Sequence, residues 1–199
     1  MTKFSNEKKK FKRTLDRIRG FTLVETLIAV SIFSVSILGL FSILSQGVAS
    51  TNYAKQKVIA SYLAQEGVEY MRNMRDTFVL YSATPSDGWT AFSSKLFNAS
   101  CASGCYFNDQ NLNFFDQSQP MIDLSIIPCF GPGGSCPTML YDGATGKYGY
   151  ATGVNSGFSR KISVNFYADE IKISSIVSWT QGSGSQTTTF SESLFNWIE

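Results

Sequence analysis

The longest pattern in the chain is an uninterrupted apolar run. Residues 21–44 read FTLVETLIAVSIFSVSILGLFSIL, twenty-four positions with a single charge, Glu25. As an α-helix this run would be about 36 Å long, enough to cross a hydrocarbon layer of about 30 Å. After Gly47 the pattern becomes amphipathic. Val58, Ile59, Tyr62, Leu63, Tyr70, Met71 and Met74 recur at three- and four-residue spacing, with Lys55, Lys57, Gln65, Glu69 and Arg72 largely between them. That period predicts a helix with one inward-facing stripe. No proline falls within 21–76, so a single helix from Phe21 to about Asp76 is expected, with Gly39 and Gly47 as its weak points near the apolar run. Each glycine costs about 1 kcal/mol relative to alanine. Glu69 and Arg72 are placed to pair across one turn.

From Phe158 the period drops to two. Ile162, Val164 and Phe166 alternate with Lys161, Ser163 and Asn165, then Ile171, Ile173, Val177 and Trp179 continue the alternation, and 187–195 reads as a third strand. Turns at 168–170 and 182–185 join the three into an antiparallel meander. Between Thr77 and Gly157 the chain is rich in Gly, Pro, Ser, Asn and Asp, with aromatic islands at Trp89, Phe92, Phe97, Tyr106, Phe107, Phe114 and Phe115. This stretch reads as loops with short elements, and the clusters at 85–88, 131–135 and 141–146 read as turns.

Charge divides the chain unevenly. Of the 17 Lys/Arg and 15 Asp/Glu, residues 1–20 hold eight basic and two acidic side chains, +6, which leaves −4 beyond Gly20 although the whole chain is +2. A basic flank directly before a long apolar run is a topology signal that holds the N-terminus in the cytoplasm and sends the rest across. Binding of nucleic acid by 8–19 is the competing use of those charges. Over the whole chain charged residues are 16% and aromatics 14%, a balance that suits an extracytoplasmic surface.

The chain has no histidine. That removes Ser-His-Asp and Cys-His nucleophile systems, HExxH zinc sites and imidazole acid–base chemistry. A carboxylate pair drawn from Asp109, Asp116 and Asp123 is all that an enzyme reading has left; their regular spacing in a loop region reads as solvated turns. No enzyme activity and no cofactor are expected.

A secretory signal peptide is the rival for the apolar run, because 47–49 offers small residues that would place a cut before Ser50. The run is longer than the roughly 7–15 residues of a signal h-region, and Glu25 would be an unexplained cost within one.

The stretch Arg19-Gly20-Phe21-Thr22-Leu23-Val24-Glu25, followed by Thr26-Leu27-Ile28-Ala29-Val30, resembles the cleavage and methylation signature of type IV prepilins and type II secretion pseudopilins. The resemblance implies cleavage after Gly20 by a prepilin peptidase and N-methylation of Phe21 by the same enzyme. It also implies an assembly role for Glu25, pairing with the cationic N-terminus of a neighbouring subunit and so setting axial register. Physically, a glycine lets a protease approach the backbone, and a buried ion pair specifies register better than it stabilises. A carboxylate held at the helix start by the dipole alone is the plainer reading of Glu25. The chain departs from many pilins in lacking a proline in the later part of this helix. The run Leu63-Ala64-Gln65-Glu66-Gly67-Val68-Glu69-Tyr70-Met71-Arg72-Asn73-Met74-Arg75-Asp76 resembles the helix end of minor pilins of the pilus-modification type.

All four cysteines, Cys101, Cys105, Cys129 and Cys136, lie in the region placed outside, so two disulfides are expected. Three connectivities are open. Local pairs would staple two loops and are favoured, whereas crossed pairs would tie the loops together. A four-cysteine zinc site is the competitor, though C-x3-C and C-x6-C spacings suit it poorly. A calcium loop at Asp142 would have one carboxylate. Trp179, Phe195 and Trp197 are expected in the core or at a sheet edge, an aromatic surface for sugars being the alternative.

The expected architecture is α+β, a pilin-like lollipop with its long N-terminal helix packed on an antiparallel β-sheet head. Residues 1–20 would be the leader, 21–47 the membrane or filament-core helix, and 48–199 the amphipathic helix with its extracytoplasmic head. The function implied is structural: a subunit, expected to be a minor pilin, of a membrane-rooted filament. Its partners would be prepilin peptidase, other pilin subunits, the cytoplasmic membrane and the pilus assembly machinery, with nucleic acid only in a DNA-uptake pilus. A pseudopilin is the alternative within the family, and a signal-anchored binding or adhesion module the alternative outside it. No metal site is expected.

Overall fold

A computed structural model describes residues 20–108, 125–130 and 135–196. The basic leader 1–19, Asp109, Phe114, Phe115, Asp116, Asp123, most of the turn at 131–135 and Trp197 lie outside the described residues. The chain divides into two compact units between Ala49 and Ser50. Helix α1, Leu23–Tyr81, begins in the first unit and continues in the second. Helix α2, Pro85–Asn98, follows, and then seven strands: β1 Cys105–Tyr106, β2 Ile127–Pro128, β3 Thr138–Asp142, β4 Lys147–Gly149, β5 Val154–Phe166, β6 Glu170–Gln181 and β7 Gly184–Phe195. The architecture is α+β, a long N-terminal helix followed by an antiparallel sheet.

In the first unit α1 is predominantly apolar on every side, with Glu25 its one charge. Three of its serine hydroxyls bond to its own backbone: Ser31, Ser34 and Ser36 each donate to the carbonyl four residues earlier, at 2.8 Å. Such bonds let hydroxyls sit in an apolar helix without an outside partner.

In the second unit the buried face of α1 is Ala60, Leu63, Ala64, Gly67, Val68, Tyr70, Met71, Met74 and Phe78, a 3.6-residue repeat. Two members of the expected stripe fall outside it: Val58 is 54% exposed and Tyr62 70%. The covered face is centred on small residues, Ala60, Ala64 and Gly67, which a search for large apolar side chains passes over. Their size serves close approach. A Cβ on Gly67 would collide with the Ser175 hydroxyl and lie 3.0 Å from Ile162 Cδ1, so the helix meets β5 and β6 at a point where only glycine fits.

All strand pairings are antiparallel. β5, β6 and β7 form the expected meander, in unbroken register from Phe158↔Trp179 to Phe166↔Ile171 and from Glu170↔Phe195 to Gln181↔Gly184. The other edge of β5 is shared end to end by two short strands: β3 pairs with its first half and β1 with Ile162. One sheet face is buried because Phe158, Arg160, Ile162 and Val164 on β5 and Ile171, Ile173, Ser175, Val177 and Trp179 on β6 share it. Two core clusters result. One joins Ala60, Leu63 and Ala64 to Met139, Phe158, Val177 and Trp179. The other joins Met71, Met74 and Phe78 to α2, the sheet and the first disulfide.

Two corrections to the sequence reading concern α2 and the end of α1. The expected turn at 85–88 is the first turn of α2. Thr84 caps it, its hydroxyl accepting from the Asp87 N–H at 3.2 Å and donating to the Asp87 carboxylate at 2.7 Å, while Pro85 occupies the position where a missing N–H costs nothing. Gly88 is there for packing rather than turning, since a Cβ would lie 2.6 Å from the Phe78 carbonyl oxygen. α1 runs on to Tyr81, beyond Asp76, because Phe78 is drawn into the core against Phe92.

Candidate functional site

The N-terminal segment has a simple geometry. Gly20 and Phe21 precede the helix, both exposed, Phe21 to 79%. Thr22 opens it: its carbonyl accepts from the Thr26 N–H at 3.1 Å and its hydroxyl from the Glu25 N–H at 3.2 Å. Thr22-Leu23-Val24-Glu25 therefore has the spacing of a capping box, which fixes where the helix starts and puts Glu25 in its first turn. The carboxylate lies at the positive end of the helix dipole. Beyond it every residue to Ser50 is exposed except the half-covered Ile37, along a helix surface that is mostly apolar. The helix is long and apolar enough to cross a membrane.

In the second unit the cysteines form two local pairs. Cys101 bonds Cys105, with Cα atoms 4.8 Å apart, and Cys129 bonds Cys136, with Cα atoms 4.6 Å apart. The first is buried and ties the end of α2 into the sheet, since the Cys101 carbonyl accepts from the Val164 N–H at 3.0 Å and Cys105 pairs with Ile162. Loops this short give about 2 kcal/mol each by chain entropy. Disulfides persist in oxidising compartments.

The expected i,i+3 pair of Glu69 and Arg72 is present at 2.7 Å, and Arg72 also reaches Glu192 on β7 at 2.6 Å. Asp142 is engaged by its own hairpin, accepting from the Ala144 N–H and the Thr145 hydroxyl, each at 2.9 Å; these bonds hold its pKa below the ordinary value. Among the described residues no group of three or more Cys, Asp or Glu side chains is placed to hold a metal ion. Trp179 is buried, its ring 6.1 Å from Phe158 and 6.5 Å from Tyr53, whereas Phe195 on β7 is 41% exposed.

One cluster has no counterpart in the sequence reading. Arg160 is fully buried. Its guanidinium carbon lies 3.9 Å from the centre of the Phe107 ring, which stacks in turn on Tyr70 at 3.7 Å. Nη1 donates to the Glu66 carboxylate at 2.5 Å and to the Leu63 carbonyl at 3.3 Å. Burial pushes Tyr150 up to about 12, against the opposing pull of Arg160. The arrangement contains no nucleophile with a base. It clamps α1 to the sheet, one cation reaching two helix positions. The available signal was parity, since Arg160 is in step with the inward-facing Phe158 and Ile162.

Comparison with known proteins adds one finding at the N-terminus. No curated protein and no solved structure matches the chain. Residues 15–41 match the family model for the prokaryotic N-terminal methylation motif, which takes in Gly20, Phe21, Glu25 and most of the exposed apolar helix. This chain carries a type IV prepilin/pseudopilin-type N-terminal signature.

Proposed function

We propose that the protein is a structural subunit of a type IV pilus or related filament, made as a prepilin and incorporated as a minor pilin. The observation that carries the reading is the methylation motif at 15–41, set on a helix whose mostly apolar surface is exposed. Prepilin peptidase cuts between Gly20 and Phe21 on the cytoplasmic side and methylates the new amino group. Before assembly the apolar helix holds the subunit in the cytoplasmic membrane, with the second unit outside. On assembly the helix exchanges lipid for the helices of neighbouring subunits. Glu25 then meets the N-terminal amino group of a neighbour, two charges that are costly alone in an apolar medium and tolerable together.

Two observations favour a minor pilin over a pseudopilin or a major subunit. The second unit has its loops closed by two disulfides, and the 63–76 segment resembles the pilus-modification type. The test is the content of filaments sheared from the cell surface. The mature chain is expected in the sheared fraction at well under a tenth of the abundance of the main subunit. Its confinement to the membrane fraction would remove the pilus assignment, and parity with the main subunit would remove the minor one.

A further inference from the structure

β7 is an edge of the sheet. It pairs with β6 along its whole length and, among the described residues, with no strand on its other side. The residues that flank 109–124 and 131–134 adjoin β1, β2 and the Cys129–Cys136 pair, on the far side of β5, so that only 197–199 adjoin β7, past its end. The turn sets which backbone groups face out. Gln181↔Gly184 closes on the two residues Gly182 and Ser183, with Gly182 at φ 59°, and in such a hairpin the closing pair exchanges both bonds. Every second β7 residue from Gly184 therefore bonds to β6, and the alternation still holds at the far end, where the Asn196 N–H donates to the Asp169 carbonyl at 3.2 Å. The N–H and C=O groups of Ser185, Thr187, Thr189, Ser191 and Ser193 point away from the sheet. A row of donors and acceptors about 40 Å long is a template for another strand, which folded proteins blunt with lysine, proline or a bulge. β7 uses none of these. Its register with β6 is unbroken, it has no proline, and its one charge, Glu192, is turned to Arg72 at 2.6 Å. Near its middle Phe190 stands 42% exposed, although its partner across the ladder, Ser175, is buried on the same sheet face.

We propose that β7 pairs antiparallel with β7 of a second copy of this chain, about a two-fold axis at Phe190. Opposite residues in such a pair share a sheet face, so Phe190 meets Phe190, Thr189 meets Ser191 and Thr187 meets Ser193. The last two pairs bring together outward backbone groups and exchange both bonds. The first falls at the closer, non-hydrogen-bonded spacing, where the two rings cover each other. Glu192 lies opposite Thr188, so no like charges meet. A second β7 is the fitting occupant because the other edge strands are too short to match it: β2 has two residues and β4 three, against twelve in β7. A two-fold pair closes on itself and adds no third copy, so it links two subunits without extending a filament. The proposal rests on the second unit alone and stands apart from how the chain is assembled.

The test uses the full chain in detergent, with micelles in excess over chains so that two copies do not share one by chance. Sedimentation is expected to show a monomer–dimer equilibrium. In the dimer the amides of Thr187, Thr189, Ser191 and Ser193 should exchange hydrogen at least tenfold more slowly than in the monomer. Phe190→Lys sets like charges opposite each other at an exposed position, and Thr189→Pro removes an outward N–H and none of the bonds to β6. Each should weaken pairing tenfold or more, and Phe190→Lys serves if Thr189→Pro fails to fold. Register is read by single added cysteines, the four native ones being paired. Phe190→Cys should crosslink to its own copy under mild oxidation at least tenfold faster than Thr189→Cys, whose symmetry mate is offset along the strand. A chain that stays monomeric overturns the proposal and leaves the edge to a strand of another protein. So does a dimer that Phe190→Lys leaves intact, which the apolar helix would then be holding, or an equal rate of crosslinking in the two cysteine chains.

Discussion

Arg160→Ala is expected to destabilise the second unit by about 3–5 kcal/mol, the largest loss from any single substitution in the sheet. Three costs combine. The Glu66 carboxylate and the Leu63 carbonyl lose a donor, the Phe107 ring loses the cation stacked at 3.9 Å, and a fully buried side-chain volume is left empty. Glu66 keeps about two-fifths of its side chain in water, which softens the first cost because the carboxylate can rehydrate. Arg160→Lys is not a rescue, since an ammonium on an unbranched stem cannot stack on Phe107 and reach two helix oxygens at once. Arg160→Met keeps the volume and should lose less. Denaturant unfolding followed by tryptophan fluorescence reads these differences. A loss under about 1 kcal/mol for the alanine variant would mean that the clamp is dispensable.

Glu25→Val should leave the chain cleaved and in the membrane and yet reduce its amount in sheared filaments at least tenfold. Removing the carboxylate makes the helix somewhat easier to keep in lipid; Glu25 is in the first turn, nearer the interface, where an ionised group costs less than the roughly 2.5–3.5 kcal/mol of the bilayer centre. In the filament the same change leaves a neighbour's amino group unpaired in an apolar environment, and about 1.4 kcal/mol of that cost already accounts for a factor of ten. The two effects have opposite signs, so the ratio of filament to membrane content is the informative readout. Glu25→Gln separates charge from shape: if pairing of charges is what matters it should behave as Glu25→Val does. Unchanged incorporation of both variants would leave Glu25 as a helix-capping residue only.

Much of the architecture was legible because period and burial coincide there. β5 and β6 bury one face each, so their alternation is visible in the letters, and the apolar run could only be one long helix. α2 was hidden by its own start signals. Thr84-Pro85-Ser86-Asp87 reads as a turn or as a capped helix, and Gly88 tips the reading toward a turn although its role is to let α2 approach the carbonyl of Phe78. Arg160 and Ser175 were missed for a related reason. Both sit in inward register, but their usual place is the surface. Only the structure shows Glu66 and Phe107 around Arg160, and Ser175 packed close against the bare backbone of Gly67 with its hydroxyl making no hydrogen bond among the described residues. The inward stripe of α1 was displaced from Val58 and Tyr62 because alanine and glycine carry little hydrophobic signal and yet decide how close a helix can come. The cysteine spacing left three connectivities open, and the pairing is settled by which Cα atoms the fold brings within 5 Å.

Glu25 shows how far a local signal can go. The Thr22-x-x-Glu25 spacing accounts for the helix start without any partner, so capping and assembly both fit the same four residues. The filament content of Glu25→Val and Glu25→Gln chains is what separates the two.

The most direct measurement is the intact mass and N-terminal residue of the protein taken from its native membrane, with and without the host's prepilin peptidase. The expected result is a chain beginning at N-methyl-Phe21 when the peptidase is present and retaining its leader when it is absent. A chain that begins at Ser50, or one that begins near Met1 even with the peptidase active, would contradict the filament assignment and the role given to Glu25.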